Sequence, residues 1–292
     1  MAKSISIVKN NKILELKKQF YSLAIGKEEL LKIIAEAEVP QQVFESNAIE
    51  NSTLSLEETE KILLQIDLDR FITERELFEA KNLARVVEYI HNKAKTTEFT
   101  LDFILLLHKM LIGNIRDDIA GRFRFTEWVR VGAYVAPDPA LVFDLLNKLL
   151  ADYHSSAESI AAKIARFHLG FEMIHPFVDG NGRIGRALNN FLLIKEGFVP
   201  INIRFVNRQD YYRSFREFQL DQNITTMESI VAKAMINSYH KRLAYLESKS
   251  IITLSEYSKT SKDSYSNILN KAERQTISAF RDCGVWKIGV ER

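Results

Sequence analysis

The residues best suited to chemistry in this sequence lie in one stretch of twelve, from His175 to Arg186, which reads HPFVDGNGRIGR. The stretch combines an imidazole, a carboxylate, a glycine-rich turn and two guanidinium groups. A neutral imidazole can accept a proton from a hydroxyl group, and guanidinium groups bind phosphate oxygens. Asp179 adds the hard oxygen ligand that Mg²⁺ prefers beside phosphates. Together these residue types predict chemistry on the phosphate groups of a nucleotide.

The flanking sequence predicts that this stretch connects two helices. Apolar residues recur at helical spacing through residues 158–174, and Pro176 disfavours a helical conformation at His175, so the first helix should end there. The pattern resumes at Ile184 and predicts a second helix over residues 183–195. His175 is therefore predicted to lie at a boundary between a helix and a loop.

The loop between these helices has the features of an anion-binding site. Gly180, Asn181 and Gly182 can adopt backbone angles that are closed to most residues, which would turn successive N–H groups towards a bound anion at the start of the second helix. Arg183 and Arg186 lie three residues apart on that helix, so both can contact one anion. A plain turn followed by a solvated helix face explains each feature singly but not their combination.

The twelve residues resemble the signature of the Fic family, HPFx(D/E)GNGRxxR, and every fixed position of that signature is present. Members of this family mostly transfer AMP from ATP to a hydroxyl side chain of a target protein. The resemblance implies this activity here, with His175 as the catalytic base and Asp179 as the Mg²⁺ ligand. It also implies eight nucleotide-binding residues: Asp179, Gly180, Asn181, Gly182, Arg183, Ile184, Gly185 and Arg186.

The resemblance and the chemistry of the residues together imply a mechanism. Backbone N–H groups of the loop stabilise the α- and β-phosphates, the Asn181 side chain helps to hold this anion site, and Arg183 and Arg186 hold the outer phosphates. Neutral His175 accepts the proton of a Ser, Thr or Tyr hydroxyl group, whose oxygen attacks the α-phosphorus while pyrophosphate leaves. An ordinary imidazole pKa of about 6.5 would suit this role.

A second segment resembles the flap with which the family aligns a target segment by strand pairing. Residues 121–137 predict a short extended hairpin that ends in a rigid, proline-containing loop. The residues expected nearest the nucleotide are Val131, Gly132, Ala133 and Tyr134. Ala133 departs from the family pattern, which often has a polar residue or a histidine after the flap glycine.

A tyrosine pair lies downstream of the motif. Tyr211 and Tyr212 fall where many relatives place tyrosines beside the adenine and ribose, so the resemblance implies nucleotide contact. Ordinary packing within a helix is an equal alternative.

Residues 46–51 bear on regulation. They match the family's inhibitory pattern (S/T)xxxE(G/N), with Ser46 and Glu50 at its defining positions. A Glu50 carboxylate can pair with Arg186 and so occupy the guanidinium group that would hold the γ-phosphate of ATP. This resembles the subgroup with an inhibitory helix on the N-terminal side of the catalytic core. The alternative is that Glu50 faces solvent on a short helix.

Length and composition agree with a cytoplasmic enzyme without identifying one. The chain has 292 residues, a net charge of +2 and 46% hydrophobic residues, so it can bury a sizeable core and has no general basic character. Cys283 is the single cysteine, which excludes an intrachain disulfide and a cysteine-rich zinc site. The N-terminal sequence has no apolar run of signal-peptide length, and no stretch approaches the roughly twenty apolar residues of a membrane span.

The organisation is predicted to be all-α, a helical bundle of the Fic type with a β-hairpin flap. An N-terminal helical region over residues 1–97 would carry the inhibitory segment, and residues 98–248 would form the catalytic core. Capping boxes are predicted at Ser55–Glu58, Thr73–Glu76 and Thr225–Glu228. Further helices are predicted over residues 74–96, 101–112, 140–153 and 226–248.

Residues 250–292 are predicted to form a small winged helix-turn-helix-like domain. Helices are expected over residues 254–259, 264–270 and 273–281, followed by a strand over 285–290. Seven basic residues face five acidic ones, a small excess for phosphate-driven nucleic-acid binding. Docking to a protein or self-association, for example as a homodimer, is therefore favoured over DNA binding.

Other functions stay open beside AMP transfer to an unidentified target protein and to the chain itself. Related enzymes transfer phosphate or phosphocholine, or remove AMP from a modified protein, although the intact Gly182 and Arg186 favour AMP transfer. From another class, the chain could be a DNA-binding regulator that senses nucleotides. A metal site built from His154, His168 and His175 is rejected, because the spacing does not fit zinc and His168 lies among apolar residues.

Overall fold

The computed structural model describes residues 2–131 and 134–291, and these form a largely α-helical protein with two small antiparallel sheets. The predicted all-α fold class is confirmed. The helices are α1 Ala2–Ala24, α2 Glu28–Ile49, α3 Leu56–Leu63, α4 Glu74–Lys93, α5 Leu101–Ile112, α6 Val142–Ser155, α7 Ile160–Ile174, α8 Asn181–Lys195, α9 Arg208–Asp221, α10 Thr225–Leu246, α11 Leu254–Thr260 and α12 Tyr265–Glu273. The strands are β1 Arg130–Val131, β2 Tyr134–Val135, β3 Ser250–Thr253, β4 Ala279–Asp282 and β5 Val285–Val290.

The chain divides into two compact units. One comprises the described residues up to Ala37, Val199–Ile201 and the described residues from Ala232 onward; the other comprises Glu38–Phe198 and Asn202–Val231. Both units are discontinuous along the sequence. The predicted boundaries after residues 97 and 248 therefore remain predictions. No helix in the described part of the chain is long and apolar enough to cross a membrane.

In the second unit, aromatic side chains fill the space between α5, α7 and α8. The rings of Phe103 and Phe191 lie 4.3 Å apart at their centroids, and Phe99 contacts both Phe191 and Phe167 with centroid distances of 5.5 Å. These rings are almost completely buried, so they fix α7 and α8 against each other through dense packing. The two helices that flank the HPFVDGNGRIGR stretch are thereby held rigidly.

Local capping sets where several helices begin. Ser55 and Thr73 both form the predicted capping boxes, with Glu58 and Glu76 respectively, so these two predictions are confirmed. The third predicted box is wrong, because Thr225 is the first helical residue of α10 rather than its cap. Its N–H group instead donates to Oδ1 of Asn223 at 2.9 Å.

The predicted hairpin over residues 121–137 is reduced to two short strands. β1 and β2 are antiparallel, with Arg130 opposite Val135 and Val131 opposite Tyr134. Gly132 and Ala133, two of the predicted nucleotide-contacting residues, lie outside the described residues.

In the first unit, residues 250–291 contain α11, α12 and a three-stranded antiparallel sheet in the order β3-β5-β4. The predicted strand over 285–290 and the first two predicted helices are confirmed. The third predicted helix is wrong, because α12 stops at Glu273, Gln275 has a left-handed φ of 58°, and residues from Ala279 pair with β5 instead. β3 was not predicted. The winged helix-turn-helix assignment stays a prediction.

Candidate active site

His175 lies where the sequence places it, directly after the last residue of α7. Its backbone is left-handed (φ 49°, ψ 62°), and its N–H group donates to the carbonyl of Phe171 at 2.9 Å, which closes the helix. Nδ1 of the imidazole is 3.3 Å from the carbonyl oxygen of Glu172. The predicted boundary between helix and loop is therefore confirmed.

The predicted ordinary pKa of His175 is wrong. Burial lowers the pKa of His175 to about 4. The contact with the carbonyl of Glu172 raises this pKa, but by less than burial lowers it. The imidazole is therefore neutral throughout the physiological pH range. A neutral imidazole is the form that can accept a proton.

Arg124, which the sequence did not mark as a site residue, holds the backbone at His175 in place. Its Nε donates to the carbonyl of His175 at 2.7 Å, and its Nη2 donates to the carbonyls of Ile174 at 3.1 Å and Pro137 at 2.6 Å. The Arg124 N–H group also donates to the carbonyl of Pro176 at 2.9 Å. This buried side chain therefore joins the end of α7 to the loop that follows β2. Such carbonyl contacts leave no local pattern in the sequence.

The Asn181 side chain closes the loop after His175 by making two hydrogen bonds with the backbone of Phe177. Asn181 accepts the N–H group of Phe177 at 2.9 Å and donates through Nδ2 to the carbonyl of Phe177 at 2.8 Å. The Asn181 side chain therefore shapes the anion site through the backbone. α8 begins at Asn181, two residues before the predicted start, so the N–H groups of its first turn have no partner within the helix.

Two glycines of the motif are needed for different reasons. Gly180 has a positive φ of 84° and precedes α8, as predicted for the loop. Asn181 and Gly182 are both helical, so the special backbone angles predicted for these two residues are wrong. A Cβ atom on Gly182 would lie 2.2 Å from Oε1 of Glu50, so the close approach of the Glu50 carboxylate explains this glycine.

Asp179 and Arg183 are part of a closed ring of four ion pairs. Arg183 donates to Asp179 at 3.0 Å and lies 3.1 Å from Glu79, while Arg75 lies 3.0 Å from Asp179 and 3.1 Å from Glu79. Burial raises the pKa of Asp179, but the two guanidinium groups outweigh it and hold that pKa below its ordinary value. Arg75 and Glu79 were not predicted, because they lie a hundred residues before the motif.

Arg186 is buried, and it is held by the segment that resembles the inhibitory pattern. Its Nη2 lies 2.9 Å from Oε1 of Glu50 and 2.8 Å from the carbonyl of Ser46, and its Nε donates to Oγ of Ser46 at 2.9 Å. Nη1 donates to the hydroxyl oxygen of Tyr211 at 3.1 Å. The structure therefore brings Ser46, Glu50 and Arg186 together, and Glu50 does not merely face solvent.

The end of α2 explains why the inhibitory pattern ends in Gly or Asn. Asn51 is left-handed, with a φ of 68°, and its N–H group donates to the carbonyl of Ala48 at 3.1 Å. The N–H group of Ser52 reaches back to the carbonyl of Asn47 at 3.0 Å. These two bonds form a Schellman motif, in which Gly or Asn occupies the left-handed position. The motif sets the direction in which Glu50 leaves the helix.

The two tyrosines sit at this end of α2 as well as in the pocket. Tyr211 is buried, and its hydroxyl group lies 2.9 Å from Nε2 of His168 as well as against Arg186. The Tyr212 hydroxyl group donates to the carbonyl of Ile49 at 3.1 Å. Both side chains make packing contacts, and both line the cavity described below. Their contact with a nucleotide stays a prediction.

Glu172 is a buried carboxylic acid that sequence reasoning did not single out. Its Oε1 has no hydrogen-bond partner among the described residues, and a Cβ atom on Gly185 would lie 2.6 Å from it. Burial, and secondarily the negative charge of Glu50, raises the pKa of Glu172 to about 8. His168 is fully buried, as predicted, and its pKa is lowered to about 3. Glu172 lies three residues before His175, yet no spacing in the sequence marks it as a buried acid.

These elements surround a cavity of about 640 Å³, a size that suits a nucleotide. The predicted site residues that line it are Glu50, Val131, Tyr134, His175, Asp179, Gly180, Asn181, Gly182, Arg183, Tyr211 and Tyr212. Ile184 is instead fully buried in the core. Ser46, Gly185 and Arg186 are buried and do not line the cavity.

No group of three or more His, Cys, Asp or Glu side chains within the described ranges could hold a metal ion without other ligands. Asp179 is the predicted single protein ligand for Mg²⁺. It fits this role, because its carboxylate faces the cavity and already has a cationic guanidinium group 3.0 Å from Oδ2. Mg²⁺ commonly takes one or two carboxylates and completes its coordination with phosphates and water.

The chain is similar to proteins of known family. Residues 98–193 match the model of the Fic/DOC family. The protein adenylyltransferase Fic of Nematostella vectensis is 31% identical over 210 residues, which cover 69% of this chain and 48% of that protein. The protein adenylyltransferase Fic of Drosophila persimilis is 34% identical over 179 residues, which cover 59% of this chain and 34% of that protein. The chain thus spans about half or less of the length of these curated relatives.

Solved structures share the fold. A Fic domain containing signaling protein from Bacteroides thetaiotaomicron aligns with a TM-score of 0.72 and 21% identity, covering 82% of this chain and 97% of that chain. A fragment of Fic-1 from C. elegans aligns with a TM-score of 0.70 and 23% identity, covering 84% of this chain and 74% of that chain. These alignments extend the likeness beyond the residues that match the family model.

Proposed function

We propose that this chain, which carries a Fic/DOC family domain at residues 98–193, is a protein adenylyltransferase that moves AMP from ATP to a Ser, Thr or Tyr hydroxyl group of a target protein. The observation that carries the proposal is the neutral His175 imidazole, which stands in one cavity with Arg183, Asp179 and the first turn of α8. A proton acceptor and an anion site within one cavity are what nucleotidyl transfer to a hydroxyl group requires.

The chain's own residues divide the work of the reaction. The N–H groups at the start of α8 face developing negative charge on the α- and β-phosphates, and the helix dipole adds to their effect. Arg183 holds an outer phosphate oxygen, and Arg186 holds the γ-phosphate once its guanidinium group is free. Asp179 would hold Mg²⁺, which would offset phosphate charge when bound.

His175 then accepts the proton of the target hydroxyl group. The hydroxyl oxygen forms a bond to the α-phosphorus, the bond from that phosphorus to the bridging oxygen breaks, and pyrophosphate leaves with the electron pair. A target segment that pairs with β1 or β2 would place its hydroxyl group beside His175, because Val131 and Tyr134 line the same cavity.

We further propose that Glu50 inhibits this reaction from within the chain. The Glu50 carboxylate occupies Nη2 of Arg186 at 2.9 Å, and its Oε1 lies against Gly182 at the start of α8. A γ-phosphate that needs Arg186 must therefore displace Glu50. Two anions that compete for one guanidinium group give competitive inhibition.

The test compares the wild-type chain with Glu50→Gly for incorporation of label from α-labelled ATP into the chain itself and into proteins of a lysate. We expect Glu50→Gly to raise incorporation about tenfold, which corresponds to about 1.4 kcal/mol of lost competition. Glu36→Gly is the matched control, because Glu36 is an exposed carboxylate on the same helix and should leave incorporation unchanged.

The double variant Glu50→Gly, His175→Ala separates the base from the binding site. It should bind ATP as the single variant does, since the phosphate-binding groups remain, but transfer no label. Full incorporation by the double variant would contradict the role of His175. Equal incorporation by the wild-type chain and Glu50→Gly would contradict the inhibition.

A further inference from the structure

The ring formed by Arg75, Glu79, Asp179 and Arg183 links α4 to the phosphate-binding loop. Each of its four contacts lies between 3.0 and 3.1 Å, and all four side chains line the candidate active-site cavity. Both carboxylate oxygens of Asp179 are engaged, Oδ1 by Arg183 and Oδ2 by Arg75. The proposed mechanism assigns roles to Asp179 and Arg183 but none to Arg75 and Glu79.

The two arginines of the ring differ in their freedom to move. The side chain of Arg183 is 5% exposed and stands on the first turn of α8, so it is fixed in place. The side chain of Arg75 is 57% exposed, and it contacts Asp179 from the first turn of α4. A long, solvated side chain can leave Oδ2 at small cost, because water replaces its contact.

Arg75 also has a second anchor that survives such a movement. Its Nε donates to Oε1 of Glu79, one turn along α4, at 3.1 Å. Only Nη2 contacts Asp179. Release from Asp179 therefore breaks one of the two ion pairs of Arg75 and keeps the guanidinium group on the surface of α4.

We propose that Arg75 and a divalent cation compete for Oδ2 of Asp179, so that a cation enters together with the nucleotide and Arg75 turns away onto Glu79. The inference rests on the proposed function, because the nucleotide phosphates must supply the remaining ligands of the cation. A cation alone would gain one carboxylate, whereas a cation with nucleotide gains that carboxylate and phosphate oxygens. Arg75 thereby makes cation binding depend on nucleotide.

Mn²⁺ tests this without any measurement of transfer, because it has the same preference for oxygen ligands as Mg²⁺ and free Mn²⁺ is counted by its paramagnetic resonance signal. Mn²⁺ is titrated into the full chain with and without ADP. We expect Arg75→Ala to tighten Mn²⁺ binding about three- to tenfold, most visibly without ADP, where the cation has the fewest other ligands. Arg85→Ala is the matched control, since Arg85 is an exposed arginine on the same helix.

A second variant tests whether a change in Mn²⁺ binding comes from a loss of folding or of positive charge. Arg75→Lys keeps a cation near Asp179 and should restore weak, ADP-dependent Mn²⁺ binding. Equal Mn²⁺ affinity of Arg75→Ala and Arg85→Ala, with ADP still bound, would overturn the competition. Weaker Mn²⁺ binding in Arg75→Ala would also overturn it, because Arg75 would then support the cation. Absence of ADP binding in every variant would contradict the proposed function and this inference with it.

Discussion

At the scale of single residues, the environment of His175 matters as much as its identity. A left-handed conformation costs a non-glycine residue about 1–2 kcal/mol, and His175 adopts it with a φ of 49°. The carbonyl contacts of Arg124 hold the strained backbone in place. The imidazole is thereby fixed at the end of a rigid helix, and its partial burial there is the main cause of its lowered pKa.

The pKa of His175 predicts the acid side of the pH profile. Because burial lowers this pKa to about 4, lowering the pH from 7 to 5 should leave the imidazole unprotonated and the base active. We expect kcat/KM of the Glu50→Gly variant for label transfer to change less than about twofold over this interval. ATP affinity measured at each pH corrects for protonation of the nucleotide. A fall centred near pH 6.5 in the corrected profile would contradict the expectation.

At the scale of elements, the sequence predicts what depends on neighbours in the chain. The end of α7, the loop glycine Gly180 and two capping boxes follow from local patterns, and all are present. The partners of the motif could not be predicted the same way. Arg75 meets Asp179 across 104 positions of the sequence, and Arg124 meets His175 across 51. Such contacts are set by packing of whole helices, which no local spacing encodes.

The Schellman motif at the end of α2 yields a prediction for the inhibitory segment. A β-branched residue at position 51 cannot adopt a φ of 68° without strain, so Asn51→Val should destabilise the last turn of α2 by about 2 kcal/mol. Asn51→Gly suits the same backbone and should preserve it. We expect Asn51→Val to raise label incorporation by releasing Glu50 from Arg186, and Asn51→Gly to behave as the wild-type chain.

Urea unfolding of both variants distinguishes local loosening from global unfolding. Asn51→Val should keep a cooperative transition close to that of the wild-type chain while its transfer activity rises. Wild-type incorporation by a folded Asn51→Val protein would show that the left-handed residue does not control the position of Glu50.

At the scale of the whole molecule, the candidate site draws on residues from 46 to 212, and all of them lie in the second compact unit. This unit also contains two buried titratable groups whose pKa values shift in opposite directions, His168 downward and Glu172 upward. Burial keeps both groups neutral, so their effects on the pH dependence of stability have opposite signs.

Of these two groups, Glu172 controls how the free energy of unfolding changes on the alkaline side. Its pKa is raised from 4.5 to about 8, so the folded protein holds a proton that the unfolded chain releases above pH 4.5. The contribution of Glu172 to the free energy of unfolding is fully present below pH 4.5. It is lost as the pH rises towards 8, by an amount on the order of 4 kcal/mol. Glu172→Gln removes this loss, because glutamine is neutral at every pH. We expect its Tm to exceed the wild-type Tm by about 5 °C or more at pH 8.5.

The comparison between variants isolates this group from the others. His168 acts in the opposite direction, since its pKa of about 3 makes the folded state lose stability below pH 6.5, but it is present in both proteins and cancels in the difference. The Tm difference between Glu172→Gln and the wild-type chain should therefore shrink steadily from pH 8.5 to pH 5. Glu88→Gln, which neutralises an exposed carboxylate on α4, should show no such trend. A Tm difference that is independent of pH would mean that Glu172 is ionised in the folded protein, with Arg186 shared between two carboxylates.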